Sequence, residues 1–219
     1  MTLKSNKNLF EFDTGFKKKI IGTDEAGRGP AAGGVFAAAV TFPENSGSLI
    51  ERLAVLNDSK QLSKKKRESI YDIIKNETIN SIICVEVGEI EEINILNASL
   101  KAMKLACEAV IEKVGYENLL VLVDGNKLIK DFTAAPQHYV VKGDGTSASI
   151  AAASILAKVT RDRYMEELDA QYPQYGWAKN AGYLTKEHMA AIDKYGLTEF
   201  HRPSFLRKHF EKQKQLNLF

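Results

Sequence analysis

Two adjacent carboxylates, Asp24 and Glu25, follow the apolar pair Ile20-Ile21 and lead into Gly27-Arg28-Gly29, and a third, Asp124, closes the continuous apolar run "NLLVLVDGN". One acid at a strand end is ordinary turn chemistry. Acids ending two strands that lie side by side would meet at one sheet edge, where ligands bind in open α/β sheets. Asp162 adds a fourth: three beyond Val159 and seven beyond Ile155, it shares the apolar stripe of its helix, and a carboxylate there needs a cationic partner or a metal.

Acids gathered in one cleft repel one another unless divalent cations neutralise them. Oxygen ligands without a cysteine or histidine cluster favour Mg²⁺ or Mn²⁺ over zinc. Two such ions about 4 Å apart suit in-line displacement at phosphorus. Consecutive side chains on a strand point to opposite faces, so Asp24 and Glu25 can share a site only where their strand ends or bulges. The glycines that follow permit this, and they let backbone groups approach a sugar hydroxyl closely. Their bland alternative is a tight turn with a solvent-facing arginine.

The elements that must position these residues alternate in type. "KKKIIGTDE" and "GGVFAAAVTF" read as strands joined in a hairpin, "NSIICVEVGE" as a third strand, and "NLLVLVDGN" as one buried on both faces. A short strand "HYVVKGD" follows. Ser63 caps a helix carrying Ile70, Ile73 and Ile74 on one face; "LNASLKAMKLACEAVIEKV" is a long amphipathic helix; "SASIAAASILAKVTRDRYMEEL" is alanine-rich enough to lie close on whatever it covers. Beyond Met165 the texture becomes aromatic and loop-rich, and two short helices are expected before the polar end. The pattern predicts an α/β layer structure.

With 219 residues, 44% hydrophobic and 26% charged, the chain suits one substantial core with an extension, and no apolar run approaches the ~20 residues of a membrane span. The N-terminus lacks the apolar core of an export signal, which predicts a cytoplasmic protein. Cys84 and Cys107 are expected to be buried structural thiols. A net charge of +2 demands no polyanionic partner, but residues 200–214 hold Arg202, Arg207, Lys208, Lys212 and Lys214 against Glu211, a basic stripe that suits either a phosphate backbone or a solvated helix.

Together "GTDEAGRGP", "DSKQLSKKKRE", "VDGN", "SIAAASILAKVTRD", "AGYLTKEH" and "HRPSF" resemble type 2 ribonuclease H, the bacterial ribonuclease HII, in family order and spacing from about Lys18 to Phe205. The resemblance implies a ribonuclease H-like mixed central sheet flanked by helices, with a small helical C-terminal extension. It divides the chain into an N-terminal extension (1–17), a catalytic domain (18–170), a C-terminal helical substrate-binding part (171–214) and a tail (215–219). It implies cleavage of the RNA strand of RNA–DNA hybrids and incision 5′ of a ribonucleotide embedded in duplex DNA, leaving a 3′-hydroxyl and a 5′-phosphate, with two Mg²⁺ or Mn²⁺ ions. Asp24, Glu25, Asp124 and Asp162 match the metal-binding acids, Gly27, Arg28 and Gly29 the element that reads the ribose 2′-hydroxyl, Tyr183 the tyrosine that packs on the junction sugar, and Lys60 and Ser147 phosphate-side positions. Ser147 at a helix N-terminus also suits anion binding independently.

Three positions depart from the family pattern: Gly34 for proline, Thr146 for lysine and Ala181 for lysine. None removes a metal ligand, but two lost cations bear on substrate affinity and its salt dependence. The last residues, "QLNLF", resemble the pentapeptide that binds the bacterial sliding clamp, with Gln215, Leu216, Leu218 and Phe219 as hook and plugs; the alternative is a helix end packed on the body. A monomer without membrane contact is expected. Two other readings stay open: a non-catalytic hybrid-binding or clamp adaptor, and a metal phosphohydrolase for small nucleotides.

Overall fold

The computed structural model describes residues 7–44, 47–53 and 63–216. Its sheet has the order β3-β2-β1-β4-β5, with β1 Lys19–Ala26, β2 Val35–Thr41, β3 Ile79–Val85, β4 Leu119–Asp124 and β5 Gln137–Val140. The β1–β2 hairpin and the β2–β3 pair are antiparallel, and β4 joins β1 in parallel with Thr23 opposite Val123. The expected neighbourhood of the first strand and the Asp124 strand is therefore present. Short β5 runs parallel to β4 at the sheet's end.

Helices α1 Lys7–Gly15, α2 Gly47–Arg52, α3 Lys64–Glu77, α4 Val87–Ile93, α5 Ile95–Val114 and α6 Ala148–Gln171 surround the sheet; α7 Trp177–Asn180, α8 Lys186–Tyr195 and α9 Pro203–Leu216 follow. On one face Ala98, Ala102, Ala106 and Val110 of α5 cover Ile21, Ala37, Ala39 and Val121. On the other, Ala151, Ala152, Ile155 and Val159 of α6 pack with Ala38, Val40 and, from α3, Ile70 and Ile74. Ser63 caps α3 as its sequence predicts, its hydroxyl accepting from the Lys66 amide at 3.3 Å.

The alanine-rich helix uses its small side chains to approach β1 at backbone distance. A Cβ added at Gly22 would lie 2.2 Å from the Ser149 carbonyl carbon and 2.3 Å from the Ile150 nitrogen. Backbone atoms of a packed helix cannot step aside cheaply, so Gly22→Ala is expected to cost about 3 kcal/mol, measured as a lower urea midpoint at unchanged slope.

Three elements differ from the sequence reading. The third strand stops at Val85, and Val87 already begins α4; Asn94 (φ 66°) then breaks that helix and starts α5, its side-chain oxygen accepting from the Leu96 and Asn97 amides. The chain finishes on three helices rather than two. The N-terminal segment contains α1, which buries Leu9 and Phe10 against the α3–α6 core. The thiol of Cys107 is buried and pushed up to about 12, chiefly by burial, whereas Cys84 is half-buried and donates to Glu86 Oε1 at 3.3 Å; both are free.

Candidate active site

Parallel register brings Asp24 and Asp124 to the same edge, each one residue beyond the Thr23–Val123 pair. Strand β1 does not end at the acids: it stays paired through Ala26, opposite Phe36. Asp24 therefore faces α6, as Gly22 does, and Glu25 faces the α5 side. Glu25 and Asp124 both line a shallow cleft with Ser99, Leu100 and Met103 of α5. The two carboxylates of the adjacent pair share a ligand only beyond the edge, where the cleft opens.

Asp24 is 6% exposed, and its Oδ1 accepts from the Glu25 amide at 2.7 Å. Burial, then Glu25, then Asp124 push its carboxyl well above the usual carboxylate range, against hydrogen bonds from Ser154 and the Glu25 amide. Crowded, oxygen-only negative charge fits a hard divalent cation. No group of three or more His, Cys, Asp or Glu among the described residues is drawn together tightly enough to cage an ion. Mg²⁺ asks for no cage, because it keeps several waters and takes one or two carboxylates plus phosphate oxygens.

The structure sets Asp162 apart from the other three acids. Its Oδ1 receives Lys158 Nζ at 2.7 Å, and it adds to the field at Lys64 on α3. Asp24 meets α6 at Ser154, eight residues earlier, which is about 12 Å along a helix. Of the two partners its apolar stripe asks for, a cation or a metal, Lys158 supplies the first.

The structure brings Asp144 to the edge instead. After β5, whose Val140 lies opposite Asp124, the Gly143 amide donates to Asp124 Oδ1 at 2.7 Å, and Asp144 follows, 5% exposed, in a short 3₁₀ turn. A Cβ at Gly143 would meet Ile150 at 2.6 Å and Asp124 Oδ1 at 3.1 Å, so glycine lets the turn close. The signal was present in "HYVVKGD", an acid beside glycine at a strand end, as in "VDGN".

Beside the acids, Gly27 (φ 105°) turns the chain and Arg28 reaches back to Glu25 Oε1 at 3.2 Å. Gly29 lies against Tyr183, whose Cε1 is 3.3 Å from where a Cβ would stand, and Tyr183 is 54% exposed. Arg202, counted by sequence in the basic stripe, is instead fully buried and donates to the carbonyls of Gly27, Pro30 and Gly33. It shapes the loop rather than meeting a phosphate.

Ser147 is fully buried, its hydroxyl caps Ile150, and the N-terminus of α6 already meets the Asp13 carboxyl, which accepts from the Ser149 amide and hydroxyl at 2.8 and 2.7 Å. Lys60, Leu218 and Phe219 lie outside the described residues, as do the side chains of Gln215 and Leu216, whose backbone ends α9. Of the family departures, Gly34 leaves room filled by Cys84, whose Sγ would stand 2.6 Å from a Cβ. Thr146 donates to the Lys142 carbonyl at 3.0 Å, and Ala181 is left-handed at φ 49°.

Tyr183 is held from below by a buried histidine pair. The Thr198 amide donates to His201 Nδ1 at 2.9 Å, which puts the His201 proton on Nε2, 3.2 Å from His188 Nε2; His188 Nδ1–H then donates to the Tyr183 carbonyl at 2.9 Å. Trp177 Nε1 also donates to His188 Nε2. Burial lowers both histidines, His201 to about 4. The folded protein resists protons that the unfolded chain takes up near pH 6.5, so stability is complete above that pH and falls as pH drops toward 4. His201 alone is expected to remove about 2 kcal/mol between pH 6.5 and 5, read as the part of the pH dependence of the urea midpoint that His201→Asn abolishes.

The chain's similarities agree with this geometry. The family model described as Ribonuclease HII matches residues 21–213. The ribonuclease HII of Christiangramia forsetii is 48% identical over 191 residues, covering 86% of this chain and 91% of that one. That of Fusobacterium nucleatum is 46% identical over 208 residues, 94% of each chain. The crystal structure of ribonuclease H2 from Pyrococcus horikoshii OT3 superimposes with a TM-score of 0.68 at 26% identity, covering 89% of this chain and 98% of that one.

Proposed function

The chain belongs to the ribonuclease HII family and is an endoribonuclease of the type 2 ribonuclease H class, and from that premise we propose that it incises duplex DNA 5′ of an embedded ribonucleotide as well as the RNA strand of hybrids, leaving a 3′-hydroxyl and a 5′-phosphate. The observation that supports this most is the contact of Gly29 with Tyr183 two to four residues beyond the acidic pair. A sugar laid across the surface that the Gly27–Gly29 backbone and the Tyr183 ring form together has its phosphate at the edge carrying Asp24, Asp124 and Asp144.

Divalent metal serves this family's hydrolysis; bound by Asp24, Glu25, Asp124 and Asp144 as two Mg²⁺ or Mn²⁺ ions, it would supply an activated water and charge stabilisation at the departing oxygen. The protein's own groups do the selecting. Backbone amides and carbonyls at Gly27–Gly29 hydrogen-bond a 2′-hydroxyl that deoxyribose lacks, and a site built for a hydroxyl rejects its absence strongly because polar groups are left unpaired. Tyr183 offers an open ring face for the sugar, and Arg28 orients Glu25.

The test is a labelled duplex with one ribonucleotide, incubated with Mg²⁺ or Mn²⁺. Incision at that residue with an intact all-DNA control supports the reading. Binding without incision under either metal supports the adaptor, and hydrolysis of free mononucleotides supports the small-nucleotide enzyme.

The enzyme acts in this reading as a cytoplasmic monomer; no helix among the described residues is long and apolar enough to cross a membrane. Residues Gln215, Leu216, Leu218 and Phe219 recruit it to the bacterial sliding clamp. Deleting residues 215–219 is expected to spare cleavage of short duplexes and to abolish retention on immobilised clamp, and unchanged retention refutes the assignment.

A further inference from the structure

Arg161 on α6 is 2% exposed, yet its guanidinium is bound by backbone carbonyls rather than by a carboxylate: Nη2 donates to Ala32 O at 3.2 Å and to Ala181 O at 3.0 Å. These carbonyls belong to two segments distant in sequence. Ala32 lies in the loop that leaves Gly27-Arg28-Gly29, and Ala181 stands two residues before Tyr183. A third contact is steric: a Cβ at Gly27 would lie 2.4 Å from Arg161 Nε and 2.8 Å from its Cδ, so the glycine at 27 is where this side chain passes. One residue therefore touches the back of the sugar-reading backbone and the root of the tyrosine loop together.

Stability alone does not account for it. A buried cation hydrogen-bonded only to neutral carbonyls, with the Asp162 carboxylate adding a favourable field, is a poor stabiliser beside an apolar side chain of equal length. Here Nε is buried with no hydrogen-bond partner, and Ala181 adopts a left-handed conformation that an L-residue avoids. The two loops are already tied by the Ala31 amide donating to Gly182 O at 2.9 Å. That strap joins them to each other; Arg161 fixes both against α6, the helix whose Ser154 also bonds Asp24.

We propose that Arg161 is a positioning residue that fixes the register of Gly27–Gly29 against the Tyr183 ring, and so fixes which phosphodiester of a ribonucleotide-containing strand meets the acids. The proposal rests on the incision reading above. Guanidinium suits the task because a single rigid nitrogen spans both carbonyls while the stem fills the space behind Gly27. A lysine ammonium keeps the charge but lacks the planar fork.

The experiment compares wild type, Arg161→Lys and Arg161→Gln on a duplex with four consecutive ribonucleotides, scoring where cuts fall. Loss of folded protein lowers every product equally, whereas a shifted register redistributes them. The ratio of cuts at the RNA–DNA junction to cuts within the tract is expected to fall at least about tenfold in both variants, the scale of effect of an ångström-level misplacement. An unchanged ratio in folded variants overturns the proposal, and so does failure of both to fold, which assigns Arg161 to architecture alone. Absence of incision by wild type identifies the functional reading itself as the failure.

Discussion

Asp24→Asn is expected to lower single-turnover incision by at least about 10³-fold while raising the melting temperature of the chelator-treated protein. The activity loss follows from removing the innermost carboxylate of the edge: about 4 kcal/mol of charge stabilisation corresponds to three decades in rate. The stability gain follows from what that carboxylate endures without a counter-ion. Asp24 is buried, and Glu25 and Asp124 both oppose its ionisation. Asparagine keeps the shape and the acceptor for the Glu25 amide while discarding the repulsion. Relief of about 1 kcal/mol gives roughly 2–4 °C for a chain of this size. A site built for activity is commonly unstable in this way. Near-normal turnover would remove Asp24 from the chemistry, and a lower melting temperature would show that the hydrogen bonds from Ser154 and the Glu25 amide outweigh the repulsion.

How far the sequence could be read depends on the range of the interactions involved. The hairpin, the Ser63 cap and the two long helices are specified by neighbours within a few residues, and they stand where periodicity puts them. The meeting of Asp24 with Asp124 needed only the inference that two apolar strands are adjacent, which the parallel register supplies. Asp162 lies beyond that kind of inference. A helical stripe shows that a side chain faces inward but not how far along the helix it sits, and eight residues beyond Ser154 it finds Lys158 instead. At Ser147 the helix end is taken by Asp13, from a segment read as a simple extension. Arg161, Arg202 and the histidine pair bind backbone carbonyls and one another across as many as 175 positions, and no local pattern encodes such contacts.

Asp144→Asn is expected to reduce incision by about 10²-fold or more and to weaken Mn²⁺ binding by calorimetry, whereas Asp162→Asn is expected to stay within about threefold of wild type in both. Asp144 follows the amide that binds Asp124 Oδ1, so the turn that seats one acid also delivers the other. Its burial leaves little solvent to share its charge, and an ion at the edge would lower that cost. Asp162 already has compensation. Its partner Lys158 is four residues away on the same helix and a third exposed, an arrangement worth only about 0.5 kcal/mol, so Asp162→Asn should barely move the urea midpoint. The reverse ranking, with Asp162 essential and Asp144 dispensable, would mean that the catalytic edge extends two turns up α6 toward Lys64.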